Sequence, residues 1–376
     1  MAAHSQIVGG STAKRVMNCP GSVALCAKMP PQPSSKYANE GTLLHNIIAE
    51  VLEHDKKPIE FLGTTYEDIT FTKDLLEDKL YPALDLLNLV DPNCEMDIAV
   101  ETRVGFGDFL PDVYGSTDLL GRIGQRAIVL DWKFGDGVAV EAEENPQLMF
   151  YAAAAMRTPE VQWVFEGATE IECIIVQPPE LKRWVTTPER IKKFEQELKL
   201  AVKLAQSADA PLKVGDHCRW CVAKPTCPLM TGAVDRAVHA QLDILNVEQI
   251  SGYLRQADML EQWITDLRAL AHRILETGKP LPGYKLVAKR ATRQWVDEDA
   301  ALVAMLNDGI PEDELLTSKI ISPAQAEKVL KKHGKQLPAD QVVAVSTGST
   351  LAPESDPRPA VLQIGQQLTA ALSKLQ

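Results

Sequence analysis

No apolar run in this chain of 376 residues approaches the roughly 20 residues that a membrane span needs; runs such as 128–130 are short and interrupted. Residues 1–10 hold no basic segment followed by an apolar stretch, so no secretory signal is read there and the expected location is the cytoplasm. Positive charge is not in excess either. The formal net charge of −12 argues against a histone-like coating of nucleic acid. It does not exclude an enzyme acting on DNA, which gathers carboxylates around metal ions and needs only a local basic groove. There is no internal repeat. No G-x-x-x-x-G-K-[ST] signature occurs, so any unwinding of a duplex must come from a partner. A disulfide framework is not expected of seven cysteines in a chain without an export signal.

What is present is ordinary for a soluble globular protein: 45% hydrophobic and 24% charged residues. The length favours about two domains, and the pattern changes near residue 232. Residues 11–28 read as a cap and a short helix, with Pro20 suited to a first helical turn, and a proline-rich loop follows over 29–35. Over 39–54 the spacing of Leu43, Leu44, Ile47, Ile48, Val51 and Leu52 predicts a helix, and a second is expected over 72–89, bent or restarted at Pro82. Residues 95–104, 113–122 and 127–134 read as an antiparallel meander. A helix over 144–157, a strand over 173–177 stopped by Pro178-Pro179 and an amphipathic helix over 187–208 follow. Beyond about 233 the pattern is mostly helical (246–277, 296–308, 322–333), with a strand pair near 283–295 and a turn-rich extended or mobile loop over 346–359.

Four elements occur in order: Gly41-x-x-x-His45, Gly115-x-x-Asp118, Asp131-Trp132-Lys133 and Gln147-x-x-x-Tyr151. Each alone is weak, and Tyr151 by itself reads as a core aromatic with its hydroxyl at the surface. Their joint occurrence in suitable elements is informative. A hairpin turning at 121–126 brings Asp118 and Asp131 together, and two converging carboxylates repel unless a cation lies between them. Oxygen ligands suit Mg²⁺ or Mn²⁺, and adding the imidazole of His45 biases the site toward Mn²⁺ or a loosely held Mg²⁺. Residues two apart on a strand share a face, so Lys133 stands beside Asp131 while Trp132 points into the opposite layer. An ammonium there helps a hydroxide nucleophile and the charge building on a phosphate. Gly41 is expected to admit another backbone closely. Gln147 and Tyr151, one helical turn apart, offer an amide and a phenol to a substrate backbone or to water.

Three cysteines, Cys218, Cys221 and Cys227, crowd into ten residues, which reads as metal binding. From spacing alone, a structural Zn²⁺ (Cys₄, or with His217 as a ligand) and an iron–sulfur cluster stand level. The fourth ligand is open between Cys19, followed by Pro20, and Cys26. Cys94 and Cys173 are expected to be small core residues.

The ordered motifs resemble the RecB-like branch of the PD-(D/E)XK nucleases, and closely its phage-encoded members. The resemblance covers roughly residues 11–232. It implies an α/β restriction-endonuclease-like core, a mixed sheet flanked by helices, as a nuclease domain over 1–232, followed by a mostly helical region over 233–376. It implies metal ligation by His45, Asp118, Asp131 and the Trp132 carbonyl, a catalytic Lys133, and Gln147 and Tyr151 as the family's Q-x-x-x-Y motif. It also implies a [4Fe–4S] cluster on Cys19, Cys218, Cys221 and Cys227 that staples the domain's chain ends. Glu101, on the strand before the hairpin, is an extra acid near the site or, the reading we favour, a solvated or salt-bridged strand residue.

The function expected from this resemblance is Mg²⁺- or Mn²⁺-dependent exonuclease action on single- or double-stranded DNA ends, in phage recombination, replication or DNA processing, in a host cytoplasm if phage-encoded. The C-terminal region is open to contact with DNA, with a single-strand-binding or recombination protein, or with another copy in an oligomer. The rivals are a non-catalytic iron–sulfur or zinc module that binds nucleic acid, and a hydrolase of another phosphoester such as a nucleotide.

Overall fold

In a computed structural model of the chain, residues 5–32, 34–135, 139–238, 247–289, 292–315, 320–336, 338–345, 348–353 and 357–361 are described. The chain divides into two compact units, Met1–Ser251 and Gly252–Gln376.

A five-stranded mixed sheet organises the first unit. Its strands are β1 (Asp97–Gly105), β2 (Tyr114–Ile123), β3 (Arg126–Trp132), β4 (Glu170–Gln177) and β5 (Glu180–Thr186), adjacent in that order. β1, β2 and β3 form the expected antiparallel meander. β4 then lies parallel to β3, and β5 returns antiparallel along β4 as an edge strand. A parallel neighbour requires a crossover, and the connection from β3 to β4 carries a helix, Pro146–Ala155. β3 and β4 are central, and most of their residues are buried on both faces, which explains their near-continuous apolar runs.

Helices cover both faces. They are α1 (Ala13–Asn18), α2 (Ser22–Cys26), α3 (Lys36–His54), α4 (Tyr81–Val90), α5 (Pro146–Ala155) and α6 (Pro188–Ala205). Strand alternation divides the core in two. Leu120, Val129, Cys173 and Ile175 pack with α1, α5 and α6. Leu119, Ile128, Leu130, Trp132, Ile174 and Val176 pack with α3 and α4. α3 is opened by Ser35, whose hydroxyl accepts from Ala38 N, and its apolar stripe of Leu43, Leu44, Ile47 and Ile48 is buried.

Several expectations are corrected. The helix read over 11–28 is two short ones, because the chain turns at 19–21 between α1 and α2. Gly21 N donates to Pro211 O at 2.9 Å, and a Cβ on Gly21 would stand 2.6 Å from Ala210 O, so glycine is required for this crossing. The helix over 72–89 forms, with a π-helical turn at Leu76–Leu80 just before Pro82; the widened turn accommodates a residue that has no N–H to donate. Cys94 is not a core residue. It is exposed with φ 53°, in a turn closed by Asp91, whose carboxylate accepts from Glu95 N and Met96 N. Cys173 is fully buried.

The second unit holds the helices Glu298–Asn307 and Pro323–Lys332, and the helix Val247–Glu276 straddles the division. The two strands near 283–295 do not pair with each other. Tyr284–Ala288 pairs with Ser349–Pro353 and Thr292–Trp295 with Val342–Val345, both antiparallel. Ser349–Pro353 lies within the expected loop 346–359, of which residues 346–347 and 354–356 are outside the described residues. Among the described residues, no helix is long and apolar enough to cross a membrane.

Candidate metal centre and cysteine loop

The candidate site lies where the meander comes apart. β1 and β2 pair up to Val100 opposite Leu119 and resume at Thr102 opposite Thr117, skipping Glu101 and Asp118. The β2–β3 ladder stops at Leu119 opposite Leu130, one residue short of Asp118 and Asp131. At this fork the Asp118 carboxylate takes over a ladder role, its Oδ2 accepting from Trp132 N at 2.7 Å. Glu101 has φ 43°, a left-handed backbone that L-residues avoid and that costs about 1 kcal/mol or more.

α3 brings His45 to the fork. Its Nδ1 stands 3.5 Å from Asp118 Oδ1 and 3.7 Å from Glu101 Oε1, and its ring meets Phe134 edge-on at 5.4 Å. One ligand atom each from His45, Glu101 and Asp118 lies within 4.8 Å of the others, a grouping able to hold a metal ion. Burial alone would lower the His45 pKa, but Asp118 first, and then Glu101 and Asp131, outweigh it and raise it to about 10. A charged imidazole at this point offsets the repulsion between the carboxylates.

Asp131 is buried, and burial first and Asp118 next push its pKa up to about 6, against the pull of Lys133. Its Oδ2 is 2.5 Å from Lys133 Nζ, and its Oδ1 accepts from Gln147 Nε2 at 2.8 Å. Burial would discharge Lys133, but the Asp131 carboxylate more than offsets that and raises its pKa. Gln147 sits in the first turn of α5, opened by Asn145 and Pro146. Its Oε1 accepts from Lys133 Nζ at 3.2 Å, and its Nε2 is 3.2 Å from the Tyr151 hydroxyl. Tyr151 is buried, and burial together with the nearby carboxylates holds its phenol above the ordinary range.

The structure therefore brings His45, Asp118, Asp131, Trp132, Lys133, Gln147 and Tyr151 together in one region, in two linked sets. Glu101 meets both readings given for it. It is salt-bridged, to His45, within the candidate metal group. The available signal was its place on the strand beside Asp118; its backbone conformation was not legible. The glycines also trade roles. A Cβ on Gly41 would meet nothing within 4 Å, so no backbone approaches there. Close approach occurs at Gly115, where a Cβ would be 3.3 Å from the Phe150 and Tyr151 rings and 3.5 Å from Gly10 N.

At the end of α1, Cys19 and Cys218 meet the same residue, Lys213. Lys213 N donates to Cys19 Sγ at 3.4 Å, and Cys218 Sγ lies 4.0 Å from Lys213 O. Burial first, and then the approach of Cys221, Cys19 and Cys227, raises the Cys218 pKa. Cys26 is a fifth member, its Sγ 3.9 Å from Cys221 Sγ and 3.3 Å from Arg15 Nη1. His217 turns its Nε2 to Lys213 O at 2.8 Å.

A solved structure titled "Crystal structure of SSO0001" is similar at 15% identity over 61% of this chain and 89% of that one; its TM-score of 0.29 is too low to carry an argument. Residues 4–359 match the family described as "Protein of unknown function (DUF2800)", and over that span the chain belongs to this family.

Proposed function

We propose that the chain is a Mg²⁺- or Mn²⁺-dependent deoxyribonuclease with a PD-(D/E)XK core of the RecB-like type, hydrolysing phosphodiester bonds at DNA ends. The observation that carries this reading is the fork in the sheet, where His45, Glu101 and Asp118 converge next to the paired Asp131 and Lys133. One imidazole nitrogen with carboxylate oxygens is a donor set that fits Mn²⁺ or Mg²⁺. His45, Glu101 and Asp118 would hold the ion, with Asp131 and the Trp132 carbonyl as the further ligands the resemblance implies. Bound there, it would supply Lewis acidity toward water and phosphate.

The chain's own groups supply the rest. Lys133 keeps its proton and so places a fixed positive charge where charge builds on the phosphate. Gln147 bridges Lys133, Asp131 and Tyr151, so that the ammonium and the carboxylate keep one geometry. Tyr151 is a hydrogen-bonding phenol, not a base, because its proton is held tightly.

The loop of Cys218, Cys221 and Cys227 with Cys19 is assigned to a [4Fe–4S] cluster of structural role, since hydrolysis moves no electron. What supports it is that Cys19 and Cys218 meet the same residue, Lys213, one at its N–H and the other at its carbonyl.

The test uses protein purified without oxygen, end-labelled single- and double-stranded DNA, and Mn²⁺, with Asp131→Ala and Lys133→Ala alongside. Degradation lost in both variants by a factor of about 10² or more is the expected result. A folded parent that leaves DNA intact with every divalent ion removes the nuclease reading and leaves a nucleic-acid-binding module. Active but colourless protein containing zinc replaces the cluster and keeps the nuclease.

A further inference from the structure

α3 carries an aromatic side chain that no described residue covers. Tyr37, in its first turn, is 78% exposed, whereas the helix's apolar residues Leu43, Leu44, Ile47 and Ile48 are buried against the sheet. Four residues on is Gly41, and four further is His45 of the candidate metal group; residues spaced by four share one helix face.

Gly41 is anomalous in itself. A glycine inside a helix costs about 1 kcal/mol relative to alanine. A positive φ or a crowded neighbour would justify it, and neither applies, because its backbone is helical and a Cβ would meet nothing within 4 Å. The missing side chain serves nothing inside the fold. It leaves open space beside the helix, between the exposed phenol and the metal group.

We infer that this face of α3, from Tyr37 across Gly41 to His45, seats a single DNA strand, with Tyr37 stacking on one of its bases. The chemistry at the His45 end rests on the nuclease reading; the seat itself does not require cleavage. Eight residues of helix span about 12 Å, and a stacked strand advances about 3.4 Å per nucleotide. The stacked base therefore lies about three or four nucleotides from the phosphate at the metal group. An unpaired strand fits better than a duplex, because a base offers its face to a ring only when it is not stacked within a helix. Charge agrees at the outer end, where Lys36, exposed, precedes Tyr37; at the inner end Lys133 is already paired with Asp131. A free nucleotide is too short to reach from the metal group to Tyr37.

The experiment measures binding of a fluorescent single-stranded oligothymidylate in Ca²⁺, by anisotropy, to the parent and to Tyr37→Ala, Tyr37→Phe and Gly41→Leu. Leucine is a better helix former than glycine, so the last variant keeps α3, and calorimetric Mn²⁺ binding equal to the parent's shows the metal group undisturbed. The expected results are a loss of about tenfold or more for Tyr37→Ala, in line with stacking of one base, near-parent affinity for Tyr37→Phe, and a larger loss for Gly41→Leu. Parent-like binding by both Tyr37→Ala and Gly41→Leu overturns the seat even if the protein degrades DNA. A parent that does not bind the single strand overturns it as well. If the parent binds, the variants lose binding and no DNA is cut in Mn²⁺, the seat stands and the nuclease reading falls.

Discussion

The ring of Tyr151 occupies the space where Gly10 would carry a side chain: a Cβ on Gly10 would lie 2.4 Å from the ring. Gly10→Ala is therefore expected to cost about 1–3 kcal/mol by overpacking. In a Tyr151→Ala background the same change should cost well under about 1 kcal/mol, because residues in contact are not additive. Chemical denaturation of the four members of this cycle checks it, and additive losses would show that the contact does not constrain the fold.

Glu101 combines a carboxylate in the metal group with a left-handed backbone. Replacing it by alanine or glycine removes the carboxylate equally, but only glycine relieves the backbone. In metal-free protein Glu101→Gly should be about 1 kcal/mol more stable than Glu101→Ala. Both should bind Mn²⁺ at least about tenfold more weakly than the parent, a loss of about 1.4 kcal/mol. Equal stability of the two variants, or unchanged Mn²⁺ affinity, contradicts the assignment.

Glu172 is buried between Arg126 at 2.9 Å and Arg183 at 2.5 Å. Burial alone would raise its pKa, but Arg183 and then Arg126 bring it below the ordinary carboxylate value. A depressed folded pKa means stabilisation that is complete above the unfolded carboxyl's pKa, about 4.3, and is lost as pH falls through the folded value. Glu172→Gln should thus be less stable than the parent by about 1–3 kcal/mol near neutrality, with the gap closing below about pH 4.3. A gap independent of pH would assign the loss to packing.

Among the cysteines, Cys19→Ala should strip iron and visible colour from protein purified without oxygen, whereas Cys26→Ala should retain both, since four thiolates complete a cluster. Metal analysis and absorption distinguish the two. The reverse outcome would move the fourth ligand to Cys26, whose sulfur already lies 3.9 Å from that of Cys221.

Much of the first unit was legible because burial writes itself as periodicity. The stripe of Leu43, Leu44, Ile47 and Ile48 marked α3, and the turn at 121–126 marked the hairpin that aligns Asp118 with Asp131. β5 was missed, since an edge strand carrying Lys182 and Arg183 has little alternation to read. The pairings of Tyr284–Ala288 and Thr292–Trp295 were missed because their partners are far along the chain, where no local signal reaches. At the site, residue identities could be read but backbone geometry could not. Gly41 and Gly115 look alike in a motif, yet one is crowded by Tyr151 and the other is open. Glu101 looks like any strand acid until its φ is known.

α1 runs between Gly10, against Tyr151, and Cys19, among the clustered thiols. It behaves as a strut of set length between two anchorages. Inserting one residue would advance its far end by about 1.5 Å and rotate it by about 100°, so that glycine and cysteine could not both keep their seats. Any shift of Cys19 along the axis of α1 is therefore carried to Gly10 and the phenol it touches.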